Sequence, residues 1–126
     1  MIRYTYLSQF QPPAPFVYVT LRNPVSGAEQ RDVPAQVDSG ADCTVLTDAL
    51  LGSLGLPQMG RLPIKGLGGM THHLPTYSVA VGIHNLQVVV VEAVVSPGEP
   101  WVLLSRDVLN AYRLLLDGPQ LGLEIE

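Results

Sequence analysis

With 126 residues, 47% hydrophobic and only 14% charged, the chain has apolar material for one domain with its own core and too little length for two ordinary ones. Seven Lys and Arg against eleven Asp and Glu leave a formal charge of −4, which excludes a phosphate-tracking basic stripe and with it nucleic-acid binding by charge. The same apolar content excludes disorder, and a charged fraction well below the usual roughly 25% points to a surface partly covered by a second copy of the chain.

Twelve Gly and eleven Pro punctuate the sequence in the manner of short strands and turns. Ile2 to Leu7 alternates and predicts a strand, and Gln11-Pro12-Pro13-Ala14-Pro15 predicts a stiff connector. Residues 1–15 are therefore read as an N-terminal arm and 16–126 as the domain. Phe16 to Leu21, rich in aromatic and β-branched residues, predicts a strand, turned by Asn23-Pro24-Val25-Ser26-Gly27 into a second one that runs to Val37. Thr47 to Gly55 predicts a helix: Thr47 as N-cap, Asp48 in the first turn, Leu50, Leu51 and Leu54 on one face, Gly55 as terminator. Strands alternate with Gly-rich turns to Val95, and Trp101 to Leu104 reads as a buried strand, with Trp101 packing in a core or an interface. A short helix is expected from about Asp107 to Tyr112, then a terminal hairpin whose second strand carries Leu121, Leu123 and Ile125 on one face. The fold class is all-β with two small helices.

Cys43 is the single cysteine, so no internal disulfide and no cysteine-based zinc site is expected. The first residues lack the apolar core of a secretory signal, and the richest apolar run, Val88 to Val95, is interrupted by Glu92 far short of the ~20 residues of a membrane span. These features predict a cytoplasmic protein without membrane contact. His72 and His73 are adjacent, so on a strand they face opposite ways and do not chelate one metal; His84 beside Asn85 falls in a turn. No metal and no cofactor are expected. A thiolate nucleophile at Cys43 is disfavoured by the neighbouring Asp38 and Asp42, which raise a thiol pKa. Ser39 lacks the Gly-x-Ser-x-Gly elbow of a serine hydrolase.

The segment Val37-Asp38-Ser39-Gly40-Ala41-Asp42-Cys43-Thr44 stands apart. A carboxylate at the end of an apolar strand, on a tight turn, is held in place; Gly40 admits a close backbone approach and Ala41 leaves room beside it. On its own such a triplet is as well an Asx-type turn. Two further segments add to it: the Gly-rich turn Ile64-Lys65-Gly66-Leu67-Gly68-Gly69-Met70, flanked by strand-like residues, and Leu103-Leu104-Ser105-Arg106-Asp107-Val108-Leu109, which leads a buried strand into a helix.

In this order and spacing, from about Phe16 to the C-terminus, the sequence resembles the retroviral-type aspartic proteases, the retropepsins, and especially their bacterial single-domain relatives. The resemblance implies a closed six-stranded acid-protease barrel with a β-hairpin flap, active as a two-fold dimer. It implies that Asp38 is the catalytic aspartate, with Ser39 bonding across the dimer beneath the catalytic pair and Gly40 offering its backbone. Ala41, Asp42 and the flap residues Gly66, Leu67, Gly68 and Gly69 would bind substrate, and Arg106 would play a structural part by pairing with Asp42. It also implies that the terminal strands lie in the dimer interface. Ser105 stands where the family has Gly. Only one Asp-Ser-Gly is present, so peptide hydrolysis by two carboxylates sharing a proton needs a second copy. The expected function is thus aspartic endopeptidase, with the chain itself and a peptide as partners; the alternative is a catalytically inactive peptide-binding or scaffolding dimer on the same fold.

Overall fold

The computed structural model describes residues 1–126, apart from the side chain of Leu67. Its strands are β1 (Ile2–Thr5), β2 (Phe16–Arg22), β3 (Glu29–Val37), β4 (Val45–Leu46), β5 (Gln58–Lys65), β6 (Thr71–Gly82), β7 (Val89–Val95), β8 (Val102–Leu104), β9 (Leu114–Asp117) and β10 (Gly122–Ile125). Two helices, α1 (Asp48–Leu54) and α2 (Arg106–Leu109), and a 3-10 turn at Leu67–Gly69 complete it.

Six strands close on themselves in the order β2-β3-β8-β4-β7-β6, because β2 pairs with β3 along its length and also with β6 through Thr20↔Gly82, Leu21↔Val81 and Arg22↔Ala80. A register shift between Val19 and Leu21 marks the place where β2 changes partner, as a bulge does at a barrel corner. Closure hides the sheet edges within the ring. The period of two in the sequence then fills the interior: Val17, Val19 and Leu21 of β2, Val33, Ala35 and Val37 of β3, and Val79 and Val81 of β6 are buried in one core cluster. The retropepsin-type barrel expected from the sequence is the fold observed.

Strand β5 lies outside the ring, paired only with β6, so the two project as a long hairpin. Helix α1 begins after Thr47, whose side chain makes no capping bond, and ends at Gly55 in the left-handed region (φ 56°). Its last carbonyls are satisfied from the β2–β3 turn: the buried Asn23 amide donates to the carbonyls of Leu54 and Gly55, 3.0 Å each, while its Oδ1 accepts from the Val25 and Ser26 amides. Helix α2 is shorter than expected, with turns replacing it after Leu109.

A second sheet, β1-β10-β9, joins the two ends of the chain, with Ile2 opposite Ile125 and Leu123 opposite Leu116. Leu123 and Ile125 are fully buried in the same core as the barrel. Leu121, expected on that face, instead sits in the preceding turn at φ 49° and is exposed, because the β9–β10 connection needs a left-handed residue there. Residues 6–15 are tied down by the Leu7–Ala14 bridge and by Phe10, stacked on Phe16 with ring centroids 5.2 Å apart and edge-on to Trp101 at 5.6 Å. Trp101 thus packs within the chain. No helix among the described residues is long and apolar enough to cross a membrane.

Candidate active site

Parallel pairing of β3 with β8 aligns Val37 with Leu104, so both strands end at the same level of the barrel. Asp38 and the Ser105-Arg106-Asp107 segment, more than sixty residues apart in sequence, emerge side by side. The Asp38 amide donates to the Leu104 carbonyl at 2.9 Å. Its partly exposed carboxylate accepts from the Gly40 amide at 3.2 Å, and a Cβ at residue 40 would sit 3.4 Å from that same oxygen, so glycine keeps this flank of the carboxylate open.

The rest of the loop is anchored from behind. The fully buried Thr44 is the hub: its hydroxyl donates to Asp107 Oδ1 at 2.6 Å and accepts from the Ser105 amide at 3.2 Å, while its amide donates to Asp107 Oδ2 at 3.0 Å. Both oxygens of one carboxylate are thereby engaged by one residue of the loop, a charge-assisted arrangement in a half-buried place. The Thr44 carbonyl accepts from Val94 on β7 at 3.0 Å. Ser105, also fully buried, donates its hydroxyl to the Cys43 carbonyl at 2.9 Å. The added side chain at this position therefore takes up a loop carbonyl and fits the crowded junction.

Arg106 holds the loop through its backbone carbonyls: its amide donates to Ala41 at 3.0 Å and its guanidinium to Ser39 at 3.3 Å. It makes no ion pair with Asp42, contrary to the expectation from sequence. Both side chains are exposed, where an ion pair contributes little, and carbonyl groups of the same loop are within reach. The carboxylate that does tie the two segments together is that of Asp107. Sequence reading passed over it and Thr44; the available signal was an Asp in the first turn of a helix directly after a buried strand.

Ser39, Gly40 and Asp42 are exposed and Ala41 is half-buried. An open cavity of about 480 Å³ separates Asp42 and Cys43 from Leu62, Pro63 and Ile64 of the β5–β6 hairpin, with Val91 and Glu92 of β7 along it. It is the stem of the hairpin that faces the loop there; Gly66, Gly68 and Gly69 do not line it. At the tip the Gly66 amide donates to the Met70 carbonyl, and Gly68 and Gly69 adopt φ of 85° and 79°, which glycine takes without strain. The proposed contact of Leu67 with substrate rests on a side chain outside the described residues. Cys43 is half-buried, and burial first, then Asp107 and Asp42, push its thiol above the ordinary range, which disfavours a nucleophilic thiolate. Another cavity, about 610 Å³ between Arg22, Arg31, His84 and Val88, contains none of the motif residues.

The family model described as aspartyl protease matches residues 24–109, which include the Asp38 loop, the hairpin and Arg106. The chain belongs to the aspartyl protease family. The fold agrees with that membership. The EIAV protease solved in complex with the inhibitor HBY-793 superposes with a TM-score of 0.60 at 23% identity, over 77% of this chain and 86% of that one. No curated protein matches. The family match stops before β9 and β10, so the terminal sheet lies outside the part that defines an aspartyl protease here.

Proposed function

We propose that the chain is an aspartic endopeptidase whose active form is a two-fold homodimer, with water held between the two Asp38 carboxylates. The observation that carries this is the Asp38 loop itself: its first residue is bonded through the backbone amide to the end of β8, the Asp38 carboxylate is partly exposed and flanked by glycine, and the rest of the loop is braced by Thr44 and Asp107. One chain supplies one such carboxylate. Two brought together share a proton, since like charges a few ångströms apart do not both ionise cheaply.

The ionised member takes a proton from the water as its oxygen bonds to the scissile carbonyl carbon, while the protonated member donates to the carbonyl oxygen. Collapse of the resulting diol breaks the C–N bond as a proton passes to the leaving nitrogen. The products are a carboxylic acid and an amine, and the pair again holds one proton. Ser39 bonds to its counterpart beneath the pair. Gly40, Ala41 and Asp42 line the substrate backbone, and the β5–β6 hairpin, through Gly66 to Gly69, closes over the peptide as a flap. Residues 1–15 form an arm on the 16–126 protease domain. An inactive binding dimer gains no support from Ser105, whose hydroxyl is satisfied at a junction that keeps its hydrogen bonds.

Asp38→Asn preserves size and removes the shared proton in both subunits at once. Peptide-library cleavage by the parent, bell-shaped with pH and centred on the acid side, disappears in this variant while its melting temperature is retained. Equal cleavage by both proteins excludes Asp38 from the reaction. A parent dimer that cleaves nothing at any pH selects the binding reading.

A further inference from the structure

Strand β6 has two partners whose ladders overlap only at Thr76 and Tyr77. From Thr76 to Val81 it pairs with β7, and from Thr71 to Tyr77 with β5, so everything from Pro75 towards the tip is held by β5 alone. The ladder explains where β7 lets go. The Ser78 amide donates to the Pro57 carbonyl on the β5 side, so even-numbered residues of β6 turn their backbone groups to β5 and odd-numbered ones to β7. The next residue due to bond to β7 is Pro75, which has no N–H to give. On the other flank, β5 carries a register shift between Gln58 and Gly60, opposite Tyr77 and Thr76. A bulge there re-aims the strand that follows it. The root of the hairpin thus combines a bulge with a missing ladder bond, and its direction is left to side chains.

A side-chain bond spans this root. Thr76 is fully buried, and its hydroxyl donates to Oε1 of Glu92 on β7, its diagonal neighbour across the ladder. Glu92 forms no ion pair among the described residues, so no cation competes for its carboxylate. Its backbone carbonyl accepts from the Cys43 thiol at 3.5 Å, and it lines the cavity that separates Asp42 and Cys43 from Leu62, Pro63 and Ile64 of the hairpin stem. Residue 92 therefore meets the hairpin root with its side chain and the Asp38 loop with its main chain.

We propose that Glu92 is a positioning residue: through Thr76, its carboxylate fixes the angle at which the β5–β6 hairpin leaves the barrel, and with it the height of the hairpin above the Asp38 loop. The inference rests on the reading above, in which this hairpin closes over a peptide. Glu92 touches neither the peptide nor the reacting atoms in this role.

Three substitutions test it. Thr76→Val keeps shape and burial and removes the hydroxyl, Glu92→Leu removes the acceptor, and Glu92→Gln keeps an oxygen at the same reach. Thr76→Val and Glu92→Leu are each expected to speed amide hydrogen exchange in residues 61–65 and 71–75 about tenfold while residues 16–22 of the barrel stay at the parent rate. For a cleaved peptide, both are expected to raise KM about tenfold at unchanged kcat, the mark of lost binding rather than lost chemistry. Glu92→Gln is expected to recover most of both effects. The double variant Thr76→Val with Glu92→Leu is expected to be no worse than either single one, since both act through one bond. Exchange and KM at parent values in both single variants overturn the assignment, as do effects that add in the double variant. Glu92→Gln as impaired as Glu92→Leu also overturns it, because the charge rather than the hydrogen bond would then be at work. Exchange needs no cleavage: a parent dimer that cleaves nothing, yet whose hairpin loosens in these variants, keeps the Glu92–Thr76 tie and rejects the two-carboxylate reading.

Discussion

At the scale of single residues, the catalytic loop depends on side chains that touch no substrate. Asp107 binds Thr44 through both oxygens, and Thr44 is fully buried. Asp107→Ala leaves the Thr44 amide and hydroxyl without their partner in a dry place and is expected to cost about 2–3 kcal/mol in denaturant unfolding, with a larger loss of cleavage than of stability. Arg106→Leu is expected to behave differently. Its guanidinium is exposed and bonded to a single carbonyl, so the cost is below about 1 kcal/mol; an effect of about 3–5 kcal/mol would mean that it balances a buried carboxylate after all. Cys43 gives a pH-dependent readout. Its thiol is held protonated in the folded chain by burial and by Asp107, whereas the unfolded thiol ionises at the ordinary value. The folded state then binds the extra proton, so stability falls as pH rises through the ordinary thiol range towards the folded value. A Cys43→Ala variant is expected to show a flatter alkaline stability profile, and alkylation of the parent at pH 8 should be slower than that of a free cysteine peptide.

At the scale of elements, the terminal strand is a core element first. The resemblance places the terminal strands in the dimer interface. In the structure, Leu123 and Ile125 fill the core, and β10 supplies the hydrogen-bond partners of both β1 and β9. Burying two such side chains contributes roughly 3–6 kcal/mol, a large part of the roughly 5–15 kcal/mol that holds a domain of this kind folded. Truncation before Gln120 is therefore expected to abolish the cooperative melt seen by circular dichroism. A folded, melting monomer would show that the barrel stands without its second sheet. The β5–β6 hairpin is the opposite case: β5 pairs only with β6 and the tip adds no core, so Gly68→Val should strain the φ of 85° and depress cleavage with little change in melting temperature.

At the scale of the whole molecule, one chain carries half of the proposed chemistry. Activity is then expected to fall faster than in proportion when the protein is diluted through the dissociation range of the dimer, since the active species needs two copies. Specific activity that stays constant down to concentrations where sedimentation finds only monomers would place the whole reaction in one chain.

The sequence by itself was enough to find the Asp38 loop, the strands around it and the helix from Thr47 to Gly55. Those signals are local: a carboxylate on a Gly-bearing turn, a period of two, an amphipathic stretch that closes on a left-handed glycine. It also carried the order of segments by which the family resemblance was recognised. Only the tertiary structure decided that β2 meets β6 to close the barrel, that Asp107 rather than Asp42 binds the two halves of the loop junction, and that Arg106 holds carbonyls. It alone placed Asn23 under the end of α1 and β10 between β1 and β9. Each of these joins residues far apart in the chain, where spacing carries no information. The partner of a buried hydroxyl or an exposed guanidinium is set by which groups the closed barrel leaves within reach.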